Sequence, residues 1–267
     1  MIEFSVFSGG KKRVLSFSYD DGLEQDERLI KLLNRYGMKG TFNLNGYRYV
    51  DCTEEDIQRL RDLYRGHEVS CHGYLHGWPE RMPGMSLVQE VEECRRILEK
   101  VFDTHVVGYA YPNGSKCDDA VKALELCGIA YGVTGRSNNF KLPENFYLWP
   151  TTCHHRDAME YAVKFLKRID SYWYGPLFII CGHSHDFRNV EQWDEMEKIL
   201  QMLAFNDKIW YATNLEIHDY IVAQRSLRIS VDEKRFTNPT NIDVWVEKDR
   251  SQIIHIPAGQ TVVLEQG

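Results

Sequence analysis

The stretch RVLSFSYDDG, residues 13–22, decides how this chain folds. From Val14 to Tyr19 apolar residues alternate with serines, the two-residue period of a β-strand. Asp20-Asp21-Gly22 then turns the chain. Asp26 to Tyr36 follows with Leu29, Ile30, Leu32 and Leu33 at helical spacing, closed by Gly37. The opening unit is therefore a strand followed by a helix. KGTFNL (39–44) reads as the next strand. Thr53 reads as the cap of a helix whose first turn, Glu54-Glu55-Asp56, carries the negative charge a helix N-terminus favours.

Working outward, the same alternation recurs. Strands are expected at 68–70, 106–111, 130–133, 177–181 and 209–212, with helices at 86–102, 118–127, 158–169, 190–204 and on to Val222. Repeated strand–helix units imply a mostly parallel sheet closed, or nearly closed, by crossovers. The expected class is α/β, a distorted (β/α) barrel of about seven parallel strands. From about Ser226 the pattern changes to short alternating strands: LRISV, IDVWVE, QIIHIP and TVVLE. The chain is thus expected to divide into a barrel, 1–224, and a small C-terminal antiparallel β-extension, 225–267.

Of the 267 residues 43% are hydrophobic and 27% charged, and the net charge is −7. That balance belongs to a soluble globular protein and excludes a chain built to neutralise nucleic-acid phosphates. No cationic head with a long apolar stretch opens the sequence, and no apolar run approaches the length of a membrane span. The seven cysteines form no CxxC pair, which points to reduced thiols and a cytoplasmic location. No internal repeat is present. Nucleic-acid and membrane partners are therefore not expected, and the sequence leaves the oligomeric state open.

Polar clusters stand at the ends of predicted strands, and in a barrel those ends share one face. Asp20 and Asp21 are adjacent carboxylates that repel unless a cation compensates; one can then serve as ligand and the other as base. Taken alone, the motif reads better as an ordinary acidic turn ahead of a helix, because Asp-Gly turns are common. His72 and His76 are four apart, a spacing that on one side of a helical turn can grip one metal, although surface histidines share it. Tyr111-Pro112-Asn113-Gly114 forces a tight turn able to present a backbone N–H to a reacting carbonyl. His183 and His185 would share a strand face, so a second metal or another ligand set stays open. Trp149-Pro150-Thr151-Thr152-Cys153-His154-His155 offers an aromatic face and adjacent histidines that point to opposite sides when extended. Tyr111, Trp149, His155 and His185 are the expected substrate-binding residues.

In this order the clusters resemble the polysaccharide deacetylase family, of the chitooligosaccharide-deacetylase-like carbohydrate esterase type, over about residues 12–222. SYDDG is similar to the family's usual TFDDG, and SCHGYLH to its His-Ser/Thr-x-x-x-His. AYPNG stands at its Arg-Pro-Pro-Tyr-Gly or Tyr-Pro motif, and CGHSHD where a catalytic histidine follows the last core strand. The resemblance implies a distorted barrel and a metal-dependent hydrolase of acetyl amides or esters. It implies Asp20 as general base, and Asp21, His72 and His76 as ligands of one divalent ion. Zn2+ is the expected metal, with Ni2+, Co2+ or Mn2+ fitting the same donors. Asn113 would supply an oxyanion N–H and His183 the general acid, with His185 the competing alignment. Three departures stand out: Ala110 replaces the arginine that orients the base in many members, Tyr19 replaces phenylalanine, and the motif supplying an aspartate to the catalytic histidine is not visible.

Three functional readings follow. The first is a deacetylase of an N-acetylated or O-acetylated carbohydrate. The second is a C–N amide hydrolase of the same superfamily acting on a small molecule such as a ureide. The third is a non-catalytic carbohydrate-binding relative, against which stands the presence of a base beside a metal-ligand set.

Overall fold

The computed structural model describes residues 1–171 and 175–264. In chain order the elements are β1 (Ile2–Glu3), β2 (Arg13–Asp21), α1 (Asp26–Arg35), β3 (Thr41–Leu44), α2 (Glu54–Leu63), β4 (Glu68–Cys71), α3 (Gly84–Phe102) and β5 (Gly108–Ala110). Next come α4 (Asp118–Leu126), β6 (Tyr131–Arg136), β7 (Trp149–Thr151), β8 (Cys153–His154), α5 (Ala158–Lys167), β9 (Leu177–His183), α6 (Val190–Leu203), β10 (Ile209–Tyr211) and α7 (Asn214–Arg225). The tail holds β11 (Arg228–Ile229), β12 (Arg235–Thr237), β13 (Val244–Lys248), β14 (Gln252–Ile256) and β15 (Thr261–Val263).

The main sheet runs β7-β6-β5-β4-β3-β2-β9-β8, with β10 also on β2, and every pairing is parallel. Segment 149–154 brings the sheet nearly to closure: β7 pairs with β6, and β8 with β9. Between them Thr152 donates its N–H to Ile179 O (3.0 Å), and its Oγ1 accepts from Ile179 N (3.0 Å). Distortion enters where β4 and β5 share the single register pair Cys71↔Tyr109, and where β6 slips against β7 between Thr134 and Arg136. The expected distorted (β/α) barrel is the fold observed.

The alternation in β2 sorts two buried faces rather than a core face and a wet one. Leu15, Phe17 and Tyr19 pack outward with Leu29, Ile30 and Leu33 of α1 and Met196 and Ile199 of α6. Ser16 and Ser18 alternate with them and are also buried, facing the other way. Their hydroxyls are satisfied by Asn214, the first residue of α7: Ser16 Oγ donates to Asn214 Oδ1 (2.8 Å), and Asn214 Nδ2 donates to Ser18 Oγ (3.3 Å). A buried hydroxyl without such a partner would cost about 1–3 kcal/mol.

Thr53 caps α2 as expected. Its Oγ1 accepts from Asp56 N (3.2 Å) while Asp56 Oδ2 accepts from Thr53 N (3.1 Å). The tail strands form two antiparallel three-stranded sheets, β1-β13-β14 and β11-β12-β15. The first recruits the N-terminal strand β1, which the sequence reading leaves unassigned. Residue 265, the end of the expected TVVLE strand, lies outside the described residues. Among the described residues no helix is long and apolar enough to cross a membrane.

Candidate metal and catalytic site

Parallel register builds the site from the strand ends upward. Asp20 at the end of β2 sits opposite Asn43 on β3 and opposite His183 on β9. Residues paired in register on one face lie side by side. Adjacent residues of an extended strand point to opposite faces, so Asp20 and Asp21 should diverge. They do not, because Asp21 leaves the extended conformation at φ 82°, a left-handed value that Asp tolerates better than most residues. Gly22 follows at φ 67°, where an added Cβ would stand 2.6 Å from Leu44 Cδ2 and Tyr49 Oη. Both carboxylates therefore approach one imidazole: Asp20 Oδ2 is 4.0 Å and Asp21 Oδ1 3.8 Å from His72 Nε2.

His72 and His76 do not share a helical turn, contrary to one reading of their spacing. They lie on the loop after β4, with Gly73 at φ 77° and His76 at φ 60°. The loop is shaped by Glu90 of α3, a buried carboxylate whose Oε1 accepts the N–H groups of Leu75 (2.8 Å) and Gly77 (3.0 Å). Gly73 is required beside it, since a Cβ there would stand 2.8 Å from Glu90 Oε1. His76 Nε2 is brought 3.7 Å from Asp21 Oδ1. Ligand atoms of Asp21, His72 and His76 all lie within 4.8 Å of one another.

Two observations fit this trio to a divalent cation. His72 is buried, and its Nδ1 lies 2.9 Å from the carbonyl oxygen of Ala110, which fixes Nδ1 as the donor and leaves Nε2 as a lone-pair ligand. Burial and the neighbouring His72 hold the His76 imidazole below its ordinary pKa, so it stays neutral, as a metal ligand must be. One carboxylate with two imidazoles suits zinc-type chemistry.

On the opposite side of Asp21, Oδ2 is 4.0 Å from His183 Nε2 and 3.9 Å from His185 Nδ1. His183 turns its Nδ1 to Asp186 Oδ2 at 3.4 Å. Asp186 also takes His154 Nε2 (3.3 Å) and Arg156 Nη2 (2.9 Å). Burial opposes ionisation of Asp186, but Arg156 and His183 outweigh it and hold the carboxyl below its ordinary pKa. His154, His183 and Asp186 also cluster tightly enough to suggest a metal. Hydrogen bonding explains them better: His154 Nδ1 accepts from Arg156 N (3.3 Å), so Nε2 carries the proton and donates to Asp186.

A cavity of about 320 Å3 opens on Asp21 and His76, lined also by Asn45, Tyr47, Arg48 and Leu75. Arg48 also borders a cleft of about 690 Å3 that reaches the site at Gly22 and His185.

Three expected substrate-lining residues are corrected. Trp149 is fully buried, edge-on to Tyr131 (5.5 Å) and Phe146 (5.1 Å), because β7 points it into the apolar barrel interior. Tyr111 is buried and donates its hydroxyl to Tyr147 O (3.0 Å). His155 is stacked between Tyr19 (5.8 Å) and Phe187 (4.3 Å), and burial pushes its pKa down to about 3, so it is neutral packing. His185 does border the large cleft. Asn113 sits exposed in the Pro112–Gly114 turn at φ 59°, three residues after the carbonyl that holds His72. Sequence reasoning missed Asn43 and Glu90 and gave Asp186 no role; strand register could have found Asn43.

Residues 8–132 match the family model described as polysaccharide deacetylase. Among solved structures, a protein of Mycobacterium smegmatis provisionally described as a polysaccharide deacetylase superposes with a TM-score of 0.63 at 18% identity, covering 84% of this chain and 96% of that one. A family 4 acetyl xylan esterase from Clostridium thermocellum, in complex with a cobalt ion, gives 0.53 at 18% identity, covering 78% and 91%. A family 4 pseudoenzyme from Bacillus anthracis gives 0.50 at 18% identity, covering 78% and 66%. At these identities the likeness shows the fold alone. Comparison with curated proteins gave no match. The resemblance read from the two aspartates and the two loop histidines is borne out: this chain carries the polysaccharide deacetylase pattern, matched over residues 8–132, on the fold of the family 4 carbohydrate esterases.

Proposed function

We propose that the protein is a metal-dependent deacetylase that hydrolyses the acetyl amide, or ester, of an acetylated carbohydrate. The observation that carries this reading is the convergence of Asp21, His72 and His76 with the free edge of Asp20 beside them. A divalent cation held by the trio, with Zn2+ the first expectation, would polarise the acetyl carbonyl and ease ionisation of the attacking water.

The chain's own residues supply the proton transfers. Asp20 takes a proton from water as its oxygen bonds to the acetyl carbon. The carbonyl oxygen becomes an oxyanion, toward which the Asn113 N–H donates. As the bond to the leaving nitrogen or oxygen breaks, His183 gives up its Nε2 proton to that atom; an amine is a poor leaving group without it. Nδ1 of the same ring stays bonded to Asp186, which steadies the charged imidazolium. His185 borders the cleft through which a sugar chain would reach the trio. We assign this chemistry to the unit 1–224 and treat 225–267 as a structural extension.

The test is acetate release from N-acetylglucosamine oligomers, measured beside a ureide panel with metal-loaded protein. Acetate from the oligomers supports the proposal, whereas turnover of ureides alone transfers the site to small-molecule amides. Asp20→Asn should abolish turnover and keep the metal. Wild-type deacetylation by that variant would sink the base assignment. Retained metal affinity in His76→Ala would break the ligand set.

A further inference from the structure

Asp20 lacks the arginine partner that its motif usually has, since Ala110 occupies that position. A general base must still be held within a fraction of an ångström of the attacking water. On β3, one strand away, Asn43 is the in-register neighbour of Asp20, and its Nδ2 lies 2.7 Å from Asp20 Oδ1. Asn43 is fully buried, with nothing of its amide turned to solvent.

The orientation of that amide is determined by what surrounds it. Nδ2 faces three acceptors: Asp20 Oδ1, Ser18 Oγ at 3.0 Å and Tyr19 O at 3.4 Å. Flipping the amide would place its oxygen against a carboxylate and a carbonyl. The other end is left worse off, for among the described residues Asn43 Oδ1 has no hydrogen-bond partner. An orphaned buried acceptor costs stability and calls for a reason. Binding the carboxylate is such a reason. The brace continues inward: Ser18 Oγ also accepts from Asn214 Nδ2 (3.3 Å), Asn214 Oδ1 accepts from Ser16 Oγ (2.8 Å), and Asn214 N donates to Thr41 Oγ1 (2.9 Å). Asn214 is fixed in turn by the capping box at Thr213 and Glu216.

We infer that Asn43 is the positioning residue for Asp20, a neutral amide from the neighbouring strand that holds the base in place where the family pattern uses an arginine. The inference rests on Asp20 acting as base. Unlike arginine, an amide orients the carboxylate without adding a charge beside the cation site.

The test uses metal-loaded protein, with p-nitrophenyl acetate as the probe, because its leaving group needs no acid and hydrolysis reads the base alone. Asn43→Ala should lose about 10- to 100-fold in kcat at nearly constant KM, the scale of a misplaced catalytic group. Metal content per chain should not change. On this activated ester Asp20→Asn should keep a small residual rate, and adding Asn43→Ala to it should cost nothing further; an equal loss in both backgrounds would mean a structural role and overturn the inference. Crystal structures of metal-loaded Asn43→Ala test positioning independently of activity. Asp20 should leave its place or take several rotamers while Asp21, His72 and His76 stay fixed, and an unmoved Asp20 refutes positioning. If Asn43→Ala fails to fold, Asn43→Ser, which keeps a polar group on the strand, takes its place in both arms. A wild-type kcat in Asp20→Asn would bring down the base assignment, with the crystallographic arm still deciding whether Asn43 holds Asp20.

Discussion

His183 is held from behind by Asp186: Nδ1 of the ring faces Asp186 Oδ2 at 3.4 Å, and Nε2 of the same ring faces the carboxylate of Asp21 at 4.0 Å. A ring fixed at one nitrogen presents the other in a defined tautomer and direction, as general acids require. Asp186→Ala should therefore lower kcat on an N-acetylated sugar about 10- to 100-fold, a typical share of general acid catalysis. Hydrolysis of p-nitrophenyl acetate should change little, since its leaving group departs without a proton. Equal losses on amide and activated ester would remove His183 from the acid role.

Glu90 makes a different prediction, about metal affinity. Among the described residues its carboxylate is hydrogen-bonded to none of the three proposed cation ligands, yet it holds the N–H groups on both sides of His76. Partners beyond the ligands tune metal affinity by about 10- to 100-fold. Glu90→Ala should weaken Co2+ or Zn2+ binding on that scale, measured by calorimetry. Glu90→Gln keeps an acceptor oxygen at the same reach and should bind nearly as wild type. If both variants bind equally well, the loop does not depend on Glu90.

Much of this was legible in the sequence, for a physical reason. The strand period of 13–19 and the helical period of 26–36 are local signals, and the strand-end placement of Asp20, Asp21, His72 and His76 follows from topology. Their convergence also needed non-local facts: a left-handed Asp21 and a Glu90 that folds the His76 loop from α3. Trp149 failed in the other direction. An aromatic residue beside polar ones reads alike in a pocket wall and in a core, and only the pointing of β7 decides between them. Ser16 and Ser18 look like a solvated strand face, yet the barrel encloses them with Asn214, nearly two hundred residues later in the chain.

Asp26 links the site to stability. It lies at the start of α1, buried, with Tyr64 Oη donating to its Oδ2 at 2.9 Å. Burial pushes its pKa from 3.8 up to about 7, and the charges of Asp21 and Asp20 add to the rise. The sign follows directly. Below pH 3.8 the carboxyl is neutral in both folded and unfolded chains, and the shift has no effect. Between that pH and about 7 the unfolded chain ionises first, so stability falls as pH rises, and above about 7 the loss is complete. At 1.36 kcal/mol per pH unit the full effect is on the order of 4 kcal/mol. Metal-stripped wild type should therefore lose stability between pH 4 and pH 8 relative to Asp26→Asn, measured by urea unfolding. Parallel curves for the two proteins would show that Asp26 ionises normally.

Trp149 gives the sharpest test of what lies inside the barrel and what lines the substrate path. Its indole is wholly enclosed, edge-on to Tyr131 and Phe146, and among the described residues its Nε1 has no hydrogen-bond partner. Replacing it by Phe removes volume without stranding a polar group. Trp149→Phe should therefore cost stability through the cavity, about 1–3 kcal/mol, and leave KM within about twofold of wild type. The contrast is Tyr47, an exposed aromatic lining the cavity that opens on Asp21 and His76. Tyr47→Ala should raise KM for an acetylated sugar while leaving urea unfolding nearly unchanged, because it removes a contact face rather than a packed one. A raised KM in Trp149→Phe would mean that the β7 end opens to substrate in solution, and the interior assignment of the indole would have to be abandoned.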